Sequence, residues 1–211
     1  MLKNILKKLT GIFLKEYGLY KIYICEYKHP IKVKDSIHLK YEEVSQKELQ
    51  ESSDKEIRDQ SWYGGDESIC FACKYKGKIV GVLCVWYGER YKTRDSWPIA
   101  ENEAKFVQII TSSEVRGKGL GYKLAKFTEQ SMKAKGFKAL YARMWFTNYA
   151  PIRIAIKAGW IYVGILIELY PVLLQRKFKI IIDFRRNYIR LPLKFFKSIS
   201  RLFIKERNIQ S

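Results

Sequence analysis

The stretch SSEVRGKGLG, residues 112–121, sets Arg116, Gly117, Lys118, Gly119 and Gly121 directly before the helix-like YKLAKFTEQSMKAKG. Glycines cost backbone entropy, so this run asks for a bare backbone at the mouth of a helix. The chemistry such a mouth supports is anion binding. Unpaired N–H groups and the positive end of the helix dipole face the turn, and the two cations add charge. A pyrophosphate-sized anion matches. The spacing departs from the nucleoside-triphosphate loop, because Tyr122 follows Gly121 where Lys and Ser or Thr are needed. It also departs from the dinucleotide fingerprint, since the glycines read G-x-G-x-G, one residue short. A tight turn with solvated cations fits the same residues, and the loop alone leaves both readings open.

The other chemically capable residues carry less. Cys70 and Cys73 form a C-x-x-C inside ESICFACKY, which reads as a strand. Zinc would need a second ligand pair, and His29 and His38 are not spaced to supply one, so no metal is expected. Four cysteines in a chain that is 47% hydrophobic do not resemble a secreted disulfide framework. Buried thiols and a reducing, cytoplasmic compartment are the expectation.

The elements that must position the loop follow from periodicity. YKIYICEY and SIHLKYEEV read as strands. Ser45 and Glu48 make a capping box for a helix through about Asp59. ESICFACKY and KIVGVLCVWYG flank Lys76-Gly77, a hairpin signal. A polar, aromatic loop over residues 89–101 leads to the strand EAKFVQIITS. After the glycine turn come a helix to Lys135 with Gly136 as its cap, the strand KALYARMW, the helix NYAPIRIAIKAG, the strand WIYVGILIEL, and RKFKIIIDF as the last strand.

The net charge of +19 is uneven. Residues 1–40 carry nine Lys and Arg against three acids, residues 41–175 carry 20 against 16, and residues 176–211 carry 11 against two. The basic ends therefore have their own surface or partner. Both ends read as amphipathic helices. Leu2, Ile5, Leu6, Leu9, Ile12 and Phe13 recur at helical spacing, and Lys194, Lys197, Arg201 and Lys205 face away from Phe195, Phe196, Ile199, Leu202 and Phe203. No signal peptide is expected, and WIYVGILIELYPVLL, with Glu168 and Pro171, falls short of a ~20-residue span.

Arg116-x-x-Gly119-x-Gly121, after a strand and before an amphipathic helix, resembles the R/Q-x-x-G-x-G/A acyl-CoA loop of the GNAT superfamily of N-acyltransferases. Asn148 opens a helix that closes at Gly159-Trp160, similar to that family's N-…-G-[FW] segment. The resemblance runs from about Glu103 to Val163, and the upstream order of strand, helix and hairpin agrees with it. It implies acetyl-CoA as co-substrate, with the pyrophosphate on the amides of residues 117–121 and Arg116, Lys118 and Tyr122 around them. It further implies that Ile110 and Thr111 meet the pantetheine arm where two parallel strands splay, and that Asn148 contacts that arm. Asn148 also suits a helix N-cap. Many relatives carry an acidic tyrosine seven residues after the asparagine, a position that is Ala155 here. Tyr149 or Tyr162 would then donate the proton, or the thiolate leaves unaided, since thiols have modest pKa values. The family's base position falls on Glu103, with Glu101 two residues earlier. Asp66 and Glu67 are a further acidic pair.

The acceptor would lie opposite the cofactor, between SWYGGD and WYGERYKTRDSWP, where Trp62, Tyr63, Tyr87, Tyr91 and Trp97 form an aromatic set that suits either a sugar face or core packing. The expected fold is a single α/β domain of GNAT-like architecture, a mixed, mostly antiparallel central sheet flanked by helices. The expected divisions are a basic amphipathic helix over residues 1–18, an acetyltransferase domain over 19–185, and a basic amphipathic tail over 186–211. The expected function is acetyl transfer to a primary amine, an amino sugar or a glycan- or lipid-linked precursor at the cytoplasmic membrane surface. The alternatives are protein N-terminal or lysine acetylation, and a non-catalytic membrane or nucleic-acid binder. The phenylalanine-rich cationic ends suit an anionic membrane better than duplex nucleic acid.

Overall fold

The computed structural model describes residues 14–27, 39–94, 97–173 and 176–191. Contacts divide the chain into two compact units, a larger one over Ile22–Tyr162 and a smaller one whose described parts are residues 14–21 and 163–191.

In the larger unit the strands lie in the order β2-β3-β4-β5-β6 (β2, Leu39–Val44; β3, Ser68–Tyr75; β4, Lys78–Trp86; β5, Glu103–Thr111; β6, Ala139–Trp145). The first four pair antiparallel. The β3–β4 hairpin turns on Lys76 (φ 47°) and Gly77 (φ 79°). Two left-handed residues are what a two-residue turn needs if its twist is to match the strands. β5 and β6 are parallel, joined by the long helix α4 (Leu120–Ala134). That helix buries Leu120, Leu124, Ala125 and Met132 against a core that includes Phe71, Leu83, Leu140 and Ile152 of α5 (Tyr149–Lys157). On the opposite sheet face, Leu49 of α1 (Gln46–Gln50) and Ile57 of α2 (Lys55–Arg58) pack with Val82 and Val107.

Several local expectations change. The capping box forms, with Ser45 Oγ accepting from Glu48 N–H (3.1 Å) and Glu48 Oε2 from Ser45 N–H (2.8 Å). The expected single helix is nevertheless two. Ser52, Ser53 and Asp54 offer the backbone other partners, and Asp54 recaps α2 by accepting from Glu56 N–H (2.8 Å). The loop at residues 89–101 begins as helix α3 (Gly88–Lys92). Within it Tyr91 Oη donates to Trp97 O (2.6 Å) and accepts from Trp97 N–H (2.9 Å), which makes both residues core. Cysteine chemistry is corrected as well. Cys70 and Cys84 face each other in the hairpin register, with Cα atoms 4.2 Å apart, and form a disulfide. The turn position decides that pairing, and the C-x-x-C spacing does not. Cys25 and Cys73 keep buried thiols.

The larger unit also buries charge. On the inner face of α4, Lys126 and Glu129, each 3% exposed, form an ion pair. Lys126 donates to Ala158 O (3.2 Å), and Trp160 Nε1 donates to Glu129 Oε1 (2.6 Å). The network ties α4 to the end of α5. Burial, reinforced by the Glu129 carboxylate, pushes the nearby Cys25 thiol up to about 12.

In the smaller unit β7 (Ile161–Pro171), β8 (Phe178–Asp183) and β9 (Tyr188–Arg190) pair antiparallel in that order. β8 is therefore not the last strand. Asn187 takes a left-handed φ of 46°, and the buried Asp183 accepts from the N–H groups of Arg185 and Arg186 (3.0 and 3.3 Å), which closes the turn into β9. Residues 14–18, expected as helix, belong to β1 (Leu14–Cys25), where Tyr17, Tyr20, Ile22, Tyr23 and Ile24 favour extended backbone. The remaining positions of the two expected terminal helices, residues 1–13 and 192–211, lie outside the described residues.

Candidate functional site

The cleft arises where β5 and β6 part. They pair at only four positions, from Glu103↔Ala139 to Phe106↔Ala142. On the other side of β5 the register to β4 jumps from Val85↔Phe106 to Cys84↔Gln108, which leaves Val107 as a bulge. A bulge bends its strand and re-aims the side chains beyond it. Past this point a cavity of about 780 Å³ opens between residues 106–111 and 142–145, and it ends against the glycine loop and one face of α5.

The loop geometry matches an anion cradle. A short 3-10 turn (Ser113–Val115) leads to Gly117 (φ 81°) and to Gly119 (φ 76°), which is the N-cap of α4. The first backbone bond of the helix runs from Lys123 N–H to Gly119 O (3.2 Å), so the amides of residues 119–122 have no helical acceptor. A Cβ at Gly117 or Gly119 would meet nothing within 4 Å. The space over both is open. Gly121 differs, because a Cβ there would come within 3.1 Å of Ile154 Cδ1, and its bare backbone lets α5 approach α4.

Most of the residues expected at this site converge on the cavity. Ile110, Thr111, Arg116, Gly117, Gly119, Gly121, Tyr122 and Asn148 all line it. Arg116 Nε donates to Thr111 O (3.0 Å), and its guanidinium pairs with Glu56, which fixes the loop between the end of β5 and α2. Lys118 is outside the lining and donates to Glu114 O (3.1 Å). Asn148 occupies the N-cap of α5 without making a side-chain capping bond, so its amide is left to the cavity.

The expected acid and base groups do not converge there. Neither Glu101 nor Glu103 lines the cavity, and neither does Tyr149 or Tyr162. Glu103 Oε2 accepts from Ala100 N–H (2.8 Å), and Tyr141 Oη donates to Glu103 Oε1 (3.4 Å). Tyr162 packs on Tyr23 with ring centroids 5.5 Å apart, and burial pushes its phenol up. Ala155 sits in the core, 3% exposed. Glu67 accepts from Arg90 N–H (2.8 Å), a structural use. Of the aromatic set, Tyr87 packs on Phe137, while Trp62 stacks on Tyr63 (3.8 Å) and stands edge-on to Trp86 (5.8 Å). The Arg94 guanidinium lies over the Trp86 ring at 4.6 Å.

Sequence reading missed the charge of the cavity wall. Arg143, Arg153 and Lys157 join Arg116 there, and among the described lining residues none is a carboxylate. Lys157 Nζ stands over the Tyr122 ring at 4.9 Å. The available signal was Arg143 itself, a cation in the middle of the apolar strand ALYARMW.

Residues 32–159, more than half of the chain, match the model of the acetyltransferase (GNAT) family. No curated protein matches the sequence. Among solved structures the chain is similar to a GCN5-related N-acetyltransferase-like protein from Streptococcus suis, with TM-score 0.52 and 10% identity over 80% of this chain and 67% of that one. A putative acetyltransferase of the GNAT family from Novosphingobium aromaticivorans gives TM-score 0.51 and 14% identity over 74% and 65%. A Drosophila protein gives 0.52 and 10% over 81% and 57%, so the chain spans little more than half of that protein's length. At these identities the likeness is one of fold, and the family model carries the assignment. The chain belongs to the acetyltransferase (GNAT) family.

Proposed function

We propose that the protein is an acyl-CoA-dependent N-acetyltransferase that binds acetyl-CoA in the cleft between β5 and β6 and acetylates a primary amine. The observation that carries this reading is the continuity of the cleft with the glycine loop. A polyanion at one end and an extended arm along the splayed strands are what the lining suits. The amides of Gly117 and of residues 119–122 hold the pyrophosphate, with Arg116, Arg153 and Lys157 adding charge. Asn148 and the edges of the two strands hold the pantetheine arm. Bound acetyl-CoA supplies an acetyl group already activated as a thioester. The amine forms the new C–N bond as the C–S bond breaks, and its proton must leave.

Glu103 remains our choice of base, acting at a distance. It stands three residues before Phe106, roughly 10 Å along the strand from the start of the cleft. Tyr141 donates to Glu103, and the proposed relay needs water to carry the proton across the rest of that gap. With Ala155 buried and Tyr162 outside the lining, the thiolate leaves without a dedicated acid.

Titration calorimetry with acetyl-CoA tests the reading. The wild-type chain is expected to bind, and Gly119→Asp to remove binding while the protein stays folded, because the carboxylate would occupy the open space over the loop. Unchanged affinity in folded Gly119→Asp would overturn the loop assignment.

We also propose peripheral contact with an anionic membrane. Every residue from 184 to 191 is exposed, and this run combines Phe184, Tyr188, Ile189 and Leu191 with Arg185, Arg186 and Arg190 ahead of the basic tail. No helix among the described residues is long and apolar enough to cross a membrane.

A further inference from the structure

The bulge at Val107 changes which way β5 presents its side chains. Phe106 and Ile109 pack with the core on the side of α4 and α5, while Val107 and Ile110 pack on the side of α1 and α2. Gln108 also turns to the α2 side, where its Nε2 donates to Gln60 Oε1 (2.6 Å). In a regular strand Gln108 and Val107 would point to opposite sides, and the bulge puts both on one. Gln60 lies just past α2, and its own Nε2 donates to Glu56 O (2.9 Å). That bond fixes the rest. With its amide nitrogen committed, Gln60 presents oxygen, and Gln108 must meet it with nitrogen. Oε1 of Gln108 is left with no donor among the described residues.

We infer that Gln108 binds the acceptor nitrogen through Oε1, and that Gln60 is a positioning residue that keeps this oxygen turned to the cleft. This rests on the reading of acetyl-CoA in the same cleft. With the phosphates at the glycine loop and the arm along the splayed strands, the thioester falls toward the end where β5 and β6 begin to part, at Phe106↔Ala142. Gln108 stands two residues beyond that point, roughly 7 Å along the strand. Among the described lining residues, the side chains able to accept a hydrogen bond are those of Gln108, Thr111, Tyr122 and Asn148. Thr111 and Tyr122 belong to the loop end and Asn148 to the arm, so Gln108 is the one at the reacting end. A neutral oxygen suits the chemistry. An uncharged amine donates one N–H to Oε1 and keeps its lone pair for the thioester carbonyl. As the C–N bond forms the nitrogen becomes positive, and the hydrogen bond strengthens into a charge-assisted one. The electron pair of the breaking C–S bond leaves on the thiolate.

Glucosamine, tyramine and free lysine serve as probe amines with acetyl-CoA. The wild-type chain is expected to acetylate at least one. Gln108→Met is expected to lower kcat/KM for that amine about 10- to 100-fold, with acetyl-CoA affinity unchanged by calorimetry. Gln60→Met frees the Gln108 amide to turn, and should lower the same kcat/KM about 3- to 10-fold. Gln60→Glu still accepts from Gln108 Nε2 and should recover most of that loss, which a merely space-filling role for Gln60 would not produce. The inference is overturned if no probe amine is acetylated, if Gln108→Met keeps the wild-type kcat/KM, or if its acetyl-CoA affinity falls by the same factor. The role of Gln60 is overturned if its Met and Glu variants behave alike. Should Gln108→Met fail to fold, the Gln60 pair decides alone. In each case acetyl-CoA binding by the wild-type chain leaves the cofactor site standing. A wild-type chain that fails to bind acetyl-CoA overturns both readings.

Discussion

At the scale of residues, the question is how a proton leaves the acceptor when no carboxylate among the described residues lines the cleft. Glu103 is joined to Tyr141 and, through its other oxygen, to the Ala100 amide, so its first contacts are structural. If it also removes the proton by way of Tyr141 and water, Glu103→Gln should lower turnover at neutral pH on the order of 10²-fold, with recovery as pH rises and more acceptor is already deprotonated. Tyr141→Phe should reproduce part of that loss. A pH–rate profile of Glu103→Gln that overlays the wild type would move the role to water alone. The glycine loop was legible in the sequence because conformational freedom is written in residue type, and Gly117 and Gly119 do take positive φ. Arg143 was visible as a cation within an apolar strand, but its place in the cleft wall was not, because that depends on where β6 leaves β5.

At the scale of elements, α4 shows how far local pattern reaches. Its ends follow from Gly119 and from Gly136, which takes φ 89°, and its apolar stripe from Leu120, Leu124 and Met132. The same helix buries Lys126 and Glu129, which a solvated face would have claimed. The pair survives burial because every charge finds a partner: Glu129 meets Lys126 and the Trp160 indole, and Lys126 meets Ala158 O. Removing one member leaves the other charged and unmatched, so Lys126→Met should destabilise by about 3–5 kcal/mol in denaturant unfolding. Lys126→Met combined with Glu129→Gln should recover most of that, since the amide oxygen still accepts from Trp160. Equal losses in the single and double variants would mean that shape, not charge, holds α4 to the end of α5. Elsewhere the break between α1 and α2 went unread for a related reason. Ser52 to Asp54 can follow or interrupt a helix, and tertiary contacts such as Arg58 Nη1 donating to Ser52 O (2.8 Å) settle the choice.

At the scale of the whole molecule, the charge is the dominant feature, and its placement suggests a use. Residues 176–211 carry 11 Lys and Arg against two acids. Each cation near an anionic leaflet contributes roughly 1 kcal/mol, and the exposed Phe184, Tyr188 and Ile189 add apolar contact. Reversible, salt-sensitive flotation with anionic liposomes is therefore expected, and deletion of residues 192–211 should weaken it while sparing acetyl-CoA binding. If the shortened chain instead precipitates or loses acetyl-CoA binding, the tail belongs to the fold and the membrane proposal fails. The sequence by itself determined the order of strands from β2 to β8 with α4 and α5 among them, the hairpin at Lys76-Gly77 and the glycine loop, because period, turn chemistry and φ preference act between near neighbours. Only the tertiary structure decided the Cys70–Cys84 bond, the buried Lys126–Glu129 pair and the cationic wall of the cleft. The bond follows from the β3–β4 register, the burial of the Lys126–Glu129 pair from the packing of α4 on Ala158 and Trp160, and the cationic wall from where β6 leaves β5, none of which residue type alone encodes.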